Sequence, residues 1–136
     1  LMSSVRPLID TRINIPSGYW DRNWACEIDD FVHRLREANW IFTDSIRYKE
    51  GCNTVGGTSG SPIVEDGTRT VIGINNTANE SGRSCTMNNP CEEDEAGRVV
   101  VLPKRSYGQQ TYQFATCFDA DWNLDLSLSS CMLSKP

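Results

Sequence analysis

Histidine is almost absent from this chain of 136 residues, in which His33 is the one example. A site built from several imidazole ligands is therefore excluded. No apolar run approaches the roughly 20 residues that a membrane-spanning helix needs, so we expect no membrane partner. Positive charge is in deficit, since 13 lysines and arginines face 18 aspartates and glutamates and leave a net charge of −5. This balance offers no electrostatic attraction to nucleic acid.

The six cysteines include no CxxC pair and no cluster with histidine. A zinc site is not indicated, and we expect neither a metal nor a cofactor. An even number of cysteines in a short chain is typical of disulfides formed in an oxidising compartment, as in secreted proteins. Six cysteines can pair in many ways, and sequence alone does not fix the connectivity. We expect one longer link and two short loops, namely Cys26–Cys52, Cys85–Cys91 and Cys117–Cys131.

The length of the chain suits one domain with its own core, so we predict a single domain over residues 1–136. The sequence begins at Leu1 and shows no basic, apolar and small-residue signal region. Because a protein with disulfides must be exported, we expect this chain to be a processed piece or a fragment of a longer precursor.

Short β-branched and apolar segments alternate with turns that contain glycine and proline. Cys26–Arg36 is interpreted as a strand pair broken at Asp29-Asp30, with a helix as the alternative. Glu50–Ser61 and Asn76–Gly97 are predicted loops. The other predicted strands are Trp40–Tyr48, Pro62–Val64, Thr70–Asn75, Val99–Leu102 and Thr111–Thr116. About six or seven short strands favour an all-β antiparallel barrel or sandwich.

One glycine-rich segment carries the features of a nucleophile turn: Gly56–Val64, with the sequence GGTSGSPIV. A nucleophilic serine needs a tight, exposed turn, and flanking glycines allow unusual backbone angles and close approach of a substrate. Two backbone N–H groups must also converge on the point where an oxyanion forms. Ser59 is the candidate nucleophile. The N–H groups of Gly57 and Ser59 are the candidate donors, because Gly57 has no side chain to block access.

The stretch Gly57–Pro62, GTSGSP, resembles the nucleophile motif of chymotrypsin-like serine peptidases, whose common form is GDSGGP. It is closer to the bacterial branch that uses GxSGSP. The strand Thr70–Asn76 is similar to the one after that motif, and Gly108–Tyr112 resembles secreted actinobacterial members. The resemblance spans roughly Cys26 to Cys131 and is specific over Gly51–Thr77. It implies an antiparallel Greek-key β-barrel, the C-terminal half of a two-barrel fold.

The resemblance also implies acyl-enzyme chemistry that needs a histidine base and an orienting aspartate. In this family both come from the N-terminal barrel. His33 lies within the serine-bearing half and is interpreted as an ordinary residue. Asp29, Asp30 and Asp44 are no better as the acid. We therefore expect the base and the acid on an N-terminal barrel that is a separate chain or is missing, with peptides or proteins as substrates.

Two positions bear on activation and specificity. Thr58 replaces the family's usual aspartate, so it cannot form that residue's ion pair with a new amino terminus. Asn53 stands at the expected floor of the primary pocket, where its neutral side chain argues against a preference for arginine or lysine. With Asn53, the residues Thr54, Asn75, Asn76 and Thr77 predict a polar pocket for a polar or small neutral side chain.

Alternatives to this interpretation are a plain Gly/Ser turn between strands and an α/β-hydrolase elbow. The elbow needs GxSxG between a strand and a helix, whereas Pro62 and two β-branched residues follow here. Three functions compete: an endopeptidase, a non-catalytic peptidase-like binding protein, and a structural barrel whose loop binds a partner. The presence of Gly57, Ser59 and Gly60 together favours the endopeptidase, because a non-catalytic relative needs no open oxyanion loop.

Overall fold

The computed structural model describes residues 1–133, and its regular structure is almost entirely strand. The strands are β1 (Arg12–Ser17), β2 (Arg22–Glu37), β3 (Trp40–Tyr48), β4 (Pro62–Glu65), β5 (Val71–Ala78), β6 (Cys91–Glu93), β7 (Val99–Val100) and β8 (Ser106–Gln110). One short helix, α1 (Tyr112–Ala115), follows β8. Within the described part of the chain, no helix is long and apolar enough to cross a membrane.

The strands form one antiparallel sheet in the order β1-β4-β5-β8-β3-β2-β6-β7. β1 also pairs with β2, so the first six strands of that order close into a ring. β6 pairs with the end of β2, at Arg34–Arg36, and β7 pairs with β6. β4 returns to lie beside β1 after the consecutive strands β1, β2 and β3. This spatial order is a Greek key. The predicted all-β antiparallel Greek-key barrel is therefore confirmed.

The core fills the inside of this ring. Alternate residues of β1 point inward, so Ile13 and Ile15 are buried while their neighbours are not. Gly108 of β8 sits where the packing is tightest, since a Cβ there would lie 2.3 Å from Cδ1 of Ile63. The buried cluster comprises Ile13, Ile15, Trp24, Ile28, Ile46, Tyr48, Cys52, Ile63 and Ile72.

Three predicted elements need correction. The strand predicted at Thr111–Thr116 is wrong: the last sheet bond is donated by the Thr111 N–H to the Ile72 carbonyl, and the chain then turns into α1. The true strand, β8, precedes it. The sequence pattern did not predict β8, because its residues Ser106 and Gln110 are polar, although both are buried and hydrogen-bonded.

The predicted strand pair within Cys26–Arg36 is a single long strand. The register of β2 against β3 shifts between Ile28 and Asp30, so the predicted break is a bulge at Asp29. The predicted loop Asn76–Gly97 contains the end of β5 and all of β6. β6 is short and pairs with β2 through only a few residues. A strand of three residues is too short to show an alternating apolar pattern in the sequence.

All three expected disulfides are confirmed: Cys26–Cys52, Cys85–Cys91 and Cys117–Cys131. The first joins β2 to the loop that follows β3, and the second ties β6 to the preceding loop. Three disulfides indicate an oxidising environment for this chain.

Gly108 gives a direct test of the packing inside the ring. Gly108→Ala places a methyl group against Ile63 and the Tyr48 hydroxyl, and we expect it to lower the free energy of unfolding by about 1–3 kcal/mol. Urea denaturation measures this loss. Gly18→Ala is the control, because nothing lies within 4 Å of its added Cβ. Equal stability of the two variants would contradict this packing.

Candidate functional site

Residues 52–61 of the loop between β3 and β4 hold the candidate nucleophile, and we call this segment the nucleophile loop. Its second half is two successive turns. The Thr58 N–H donates to the Val55 carbonyl at 3.0 Å, and the Ser61 N–H donates to the Thr58 carbonyl at 3.1 Å. The third residue of each turn is a glycine with positive φ, +91° at Gly57 and +85° at Gly60. Type II turns require this conformation, which explains the glycines.

Backbone hydrogen bonds to β5 fix the end of this loop. The Gly60 N–H donates to the Asn75 carbonyl, and the Asn75 N–H donates to the Ser61 carbonyl, both at 2.8 Å. The Asn75 side chain is held in turn, since its Oδ1 accepts the Tyr48 hydroxyl at 2.9 Å. Burial raises the pKa of Tyr48 well above its ordinary value, so this donor keeps its proton.

The beginning of the loop is anchored to β2. Cys52 is linked to Cys26, and Nε1 of Trp24 donates to the Asn53 carbonyl at 3.1 Å. The loop is therefore fixed at both ends by covalent and hydrogen bonds. Such anchoring preorganises the residues between them.

Ser59 is exposed at the surface of the nucleophile loop. Its Oγ donates to the Asn76 carbonyl at 2.8 Å. Within residues 1–133, the N–H groups of Gly57 and Ser59 donate to no acceptor, whereas the intervening Thr58 N–H is used in the turn. The exposed hydroxyl thus lies beside two backbone N–H groups that have no acceptor among these residues.

Tyr19 and Trp20, which follow β1, form a wall beside Gly57. Their rings meet edge to face at 5.1 Å between centroids, and Nε1 of Trp20 donates to the Gly56 carbonyl at 2.9 Å. A Cβ at Gly57 would lie 2.9 Å from Tyr19. The sequence analysis did not predict this aromatic contact. The Tyr-Trp pair that follows a turn is the sequence signal that could have indicated it.

Thr58 points into the protein and is fully buried. Its Oγ1 has no hydrogen-bond partner within the described residues. A carboxylate at this place would need a cationic partner, and threonine needs none. The burial is compatible with the prediction that Thr58 forms no ion pair.

A cavity of about 240 Å³ opens beside Ser59. Four of the predicted pocket residues line it: Thr54, Asn75, Asn76 and Thr77. Asn53 does not line this cavity. It lines an adjoining cavity, together with Lys104. We call the first cavity the Ser59 pocket.

Glu37 is one of the lining residues that the sequence did not indicate. It ends β2 and is buried, with 6% of its surface exposed. Its Oε2 accepts a short hydrogen bond from the Thr77 hydroxyl. No motif places Glu37 near Ser59, since Glu37 ends β2 and Ser59 lies in the loop between β3 and β4, two strands that do not pair with each other.

His33 lies elsewhere. It is exposed on β2 and lines two cavities with Phe31 and Val32, neither of which includes a residue of the Ser59 pocket. Across residues 1–133, no three histidine, cysteine, aspartate or glutamate side chains are grouped so that they could hold a metal ion. The hydroxyl of Ser59 consequently has an acceptor in Asn76 and no imidazole among the residues of its pocket.

Gly57 provides a test of the loop conformation. We expect Gly57→Ala to lower the free energy of unfolding by about 1–3 kcal/mol, mainly because a side chain at φ +91° is strained. The flexible rings of Tyr19 and Trp20 can move aside at smaller cost. Thermal denaturation measures the effect.

Gly56→Ala is the matched control for that variant. Gly56 is the adjacent residue, has no positive φ and has open space around its Cβ position. It should change stability by less than about 0.5 kcal/mol. If both variants have the same stability, the turn described for Val55–Thr58 is wrong.

A scan against protein-family models and searches of curated proteins and of solved structures each found no match to this chain. The function of the site is therefore inferred from its own geometry. That geometry joins an exposed serine, two available N–H donors and a lined pocket on one side of an all-β barrel.

Proposed function

We propose that this chain is the nucleophile-bearing barrel of a secreted serine endopeptidase that resembles the chymotrypsin-like family. One observation carries the proposal: Ser59 is exposed on an anchored loop beside a pocket, and the N–H groups of Gly57 and of Ser59 itself have no acceptor among residues 1–133. Acyl transfer needs these three features together. The three disulfides support secretion, since they form in oxidising compartments.

The reaction follows from this arrangement. Oγ of Ser59 attacks the carbonyl carbon of the scissile peptide bond, and a base takes the hydroxyl proton. The carbonyl oxygen becomes negatively charged and accepts hydrogen bonds from the N–H groups of Gly57 and Ser59. The C–N bond then breaks as the base returns the proton to the leaving amine. Water hydrolyses the resulting ester on Ser59 by the same steps and releases the acid product.

The backbone donors supply much of the rate enhancement in this proposal. Each oxyanion donor in such sites contributes about 10²–10³ in kcat. Both donors are main-chain groups whose directions are set by the glycine turns, so no side chain must be ordered when the charge develops.

A histidine base and an orienting aspartate complete the site from an N-terminal barrel, as the resemblance implies. The Ser59 hydroxyl is a weak nucleophile without a base. Its bond to the Asn76 carbonyl is a resting position from which it must rotate toward that base. The N-terminal barrel chain is accordingly the required partner.

The pocket supports a peptide substrate. Nδ2 of Asn76 is a buried donor that has no acceptor within residues 1–133. An unmade hydrogen bond of this kind costs about 1–3 kcal/mol. Because Asn76 lines the pocket, a turn of its side chain toward the pocket would let a peptide carbonyl satisfy this donor, which favours substrate binding next to Ser59.

A non-catalytic, peptidase-like binding protein is the second candidate. The observation that favours it is the hydrogen bond from Ser59 Oγ to Asn76, which satisfies the hydroxyl without any base. In that case the pocket would hold a peptide segment that is not cleaved.

Labelling with diisopropyl fluorophosphate separates the two candidates. The protein is purified from its native source so that an associated N-terminal barrel stays bound, and adducts are located by peptide mass spectrometry. We expect one adduct on Ser59, because the assembled site activates that hydroxyl alone. Ser59→Ala should lose the adduct and lower kcat for peptide hydrolysis by at least about a thousandfold.

Ser61→Ala is the matched control, because Ser61 lies in the same loop but bonds through its backbone to Asn75. It should keep the adduct on Ser59. An unlabelled Ser59 in a sample that contains a second polypeptide with histidine and aspartate would contradict the peptidase and favour the binding protein.

A further inference from the structure

The lining of the Ser59 pocket includes a buried acid. Glu37 has 6% of its surface exposed, and its carboxylate borders the pocket together with Thr77. The Thr77 hydroxyl donates to Oε2 of Glu37. This bond connects β5 to the end of β2 and holds the carboxylate beside the pocket that also contains Ser59.

The position of Glu37 is rigid because the hairpin that follows it is tied down. Glu37 pairs with Trp40 across a two-residue turn, and Ala38 in that turn has a positive φ of 50°. The Ala38 N–H donates to the Cys85 carbonyl at 2.9 Å, and Cys85 is linked to Cys91. The disulfide loop thus holds the end of β2 against the pocket.

The segment around this disulfide also contributes to the pocket lining and is held by hydrogen bonds. Asn79, fully buried, donates through Nδ2 to the carbonyls of Arg83 and Pro90, both at 2.9 Å. Its Oδ1 accepts the Gly82 N–H at 2.7 Å. Asn88 of this loop lines the pocket. The walls around Glu37 are therefore built by bonded segments and do not depend on a mobile loop.

The charge of the pocket is one-sided. Glu37 and Glu80 are its charged lining residues, and lysine, arginine and histidine are missing from that lining. Among residues 1–133, no cationic group lies within 4.0 Å of the Glu37 carboxylate. Glu80 is exposed and shares an adjoining cavity with Lys104, so Glu37 is the stronger anchor.

We propose that the Ser59 pocket binds the side chain of an arginine or lysine and that Glu37 is its specificity-determining residue. This inference rests on the proposed function, since it names the residue whose carbonyl Ser59 attacks. A buried carboxylate without a cation is unfavourable, and a guanidinium or ammonium group supplies both the charge and the hydrogen bonds it lacks. The acidic lining would attract the same group.

The size of the pocket suits one side chain. Its volume of about 240 Å³ lies below the roughly 300–1,000 Å³ of typical small-molecule sites. The polar groups of Thr54 and Asn75 on its walls are compatible with the polar part of a long basic side chain. Asn53 suggested a neutral preference from the sequence, but it does not line this pocket.

Binding of two matched probes tests the inference without requiring catalysis. The probes are N-acetyl-arginine methylamide and N-acetyl-citrulline methylamide, which differ in charge but hardly in shape. They are titrated into the ¹⁵N-labelled chain and followed by ¹H–¹⁵N spectra. We expect the arginine probe to bind at least about tenfold more tightly, with shifts at the amides of Glu37, Ser59 and Thr77.

Two variants assign the selectivity to Glu37. Glu37→Gln keeps the shape of the side chain and should bring the affinity for the arginine probe down to that for the citrulline probe. Glu80→Gln, at the exposed rim, is the control and should change it by less than about threefold. If Glu37→Gln does not fold, the ratio of the two affinities in the unmodified chain decides.

Equal affinity for the two probes would overturn the inference, as would arginine-induced shifts confined to residues outside the Ser59 pocket. Labelling of Ser59 by diisopropyl fluorophosphate is independent of this result, because that reagent carries no cation. Labelling with equal probe affinities would leave the peptidase and remove the role of Glu37. Arginine selectivity without labelling would leave a binding protein with a basic ligand.

Discussion

The pair of backbone hydrogen bonds between Gly60-Ser61 and Asn75 is the constraint on which the site depends. These bonds continue the hydrogen-bond ladder between β4 and β5 into the nucleophile loop, so the barrel fixes the position of the end of the loop. Tyr48 reaches Asn75 from within the core and fixes it from the other side. A barrel that closes correctly therefore brings the Ser59 hydroxyl, the Gly57 N–H and the pocket together without further adjustment.

The local part of this site could be predicted from the sequence for a physical reason. A turn that needs a positive φ at its third residue needs glycine there, so the positions of Gly57 and Gly60 in the chain already indicate two turns around Ser59. The same holds for Trp40–Tyr48, in which Phe42, Ile46 and Tyr48 fall on one face of a strand and which is β3 as predicted. A conformation that depends on a few adjacent residues can be predicted from the local sequence.

The remainder of the site depends on contacts between distant segments. Glu37 meets Thr77 only because β2 and β5 belong to the same closed ring, and no spacing rule connects them. β8 was missed since its buried Ser106 and Gln110 satisfy hydrogen bonds instead of showing an apolar pattern. The charge of the pocket, and with it the expected ligand, followed from the tertiary structure alone.

The central claim is that the nucleophile loop is preformed, with its ladder bonds made and the N–H groups of Gly57 and Ser59 without an acceptor among residues 1–133. Amide hydrogen exchange of the native chain tests it residue by residue. The N–H groups of Gly60 and Asn75 donate to backbone carbonyls and should exchange slowly, whereas those of Gly57 and Ser59 should exchange at nearly unprotected rates. Fast exchange at Gly60 and Asn75 as well, in an otherwise protected barrel, would contradict the claim.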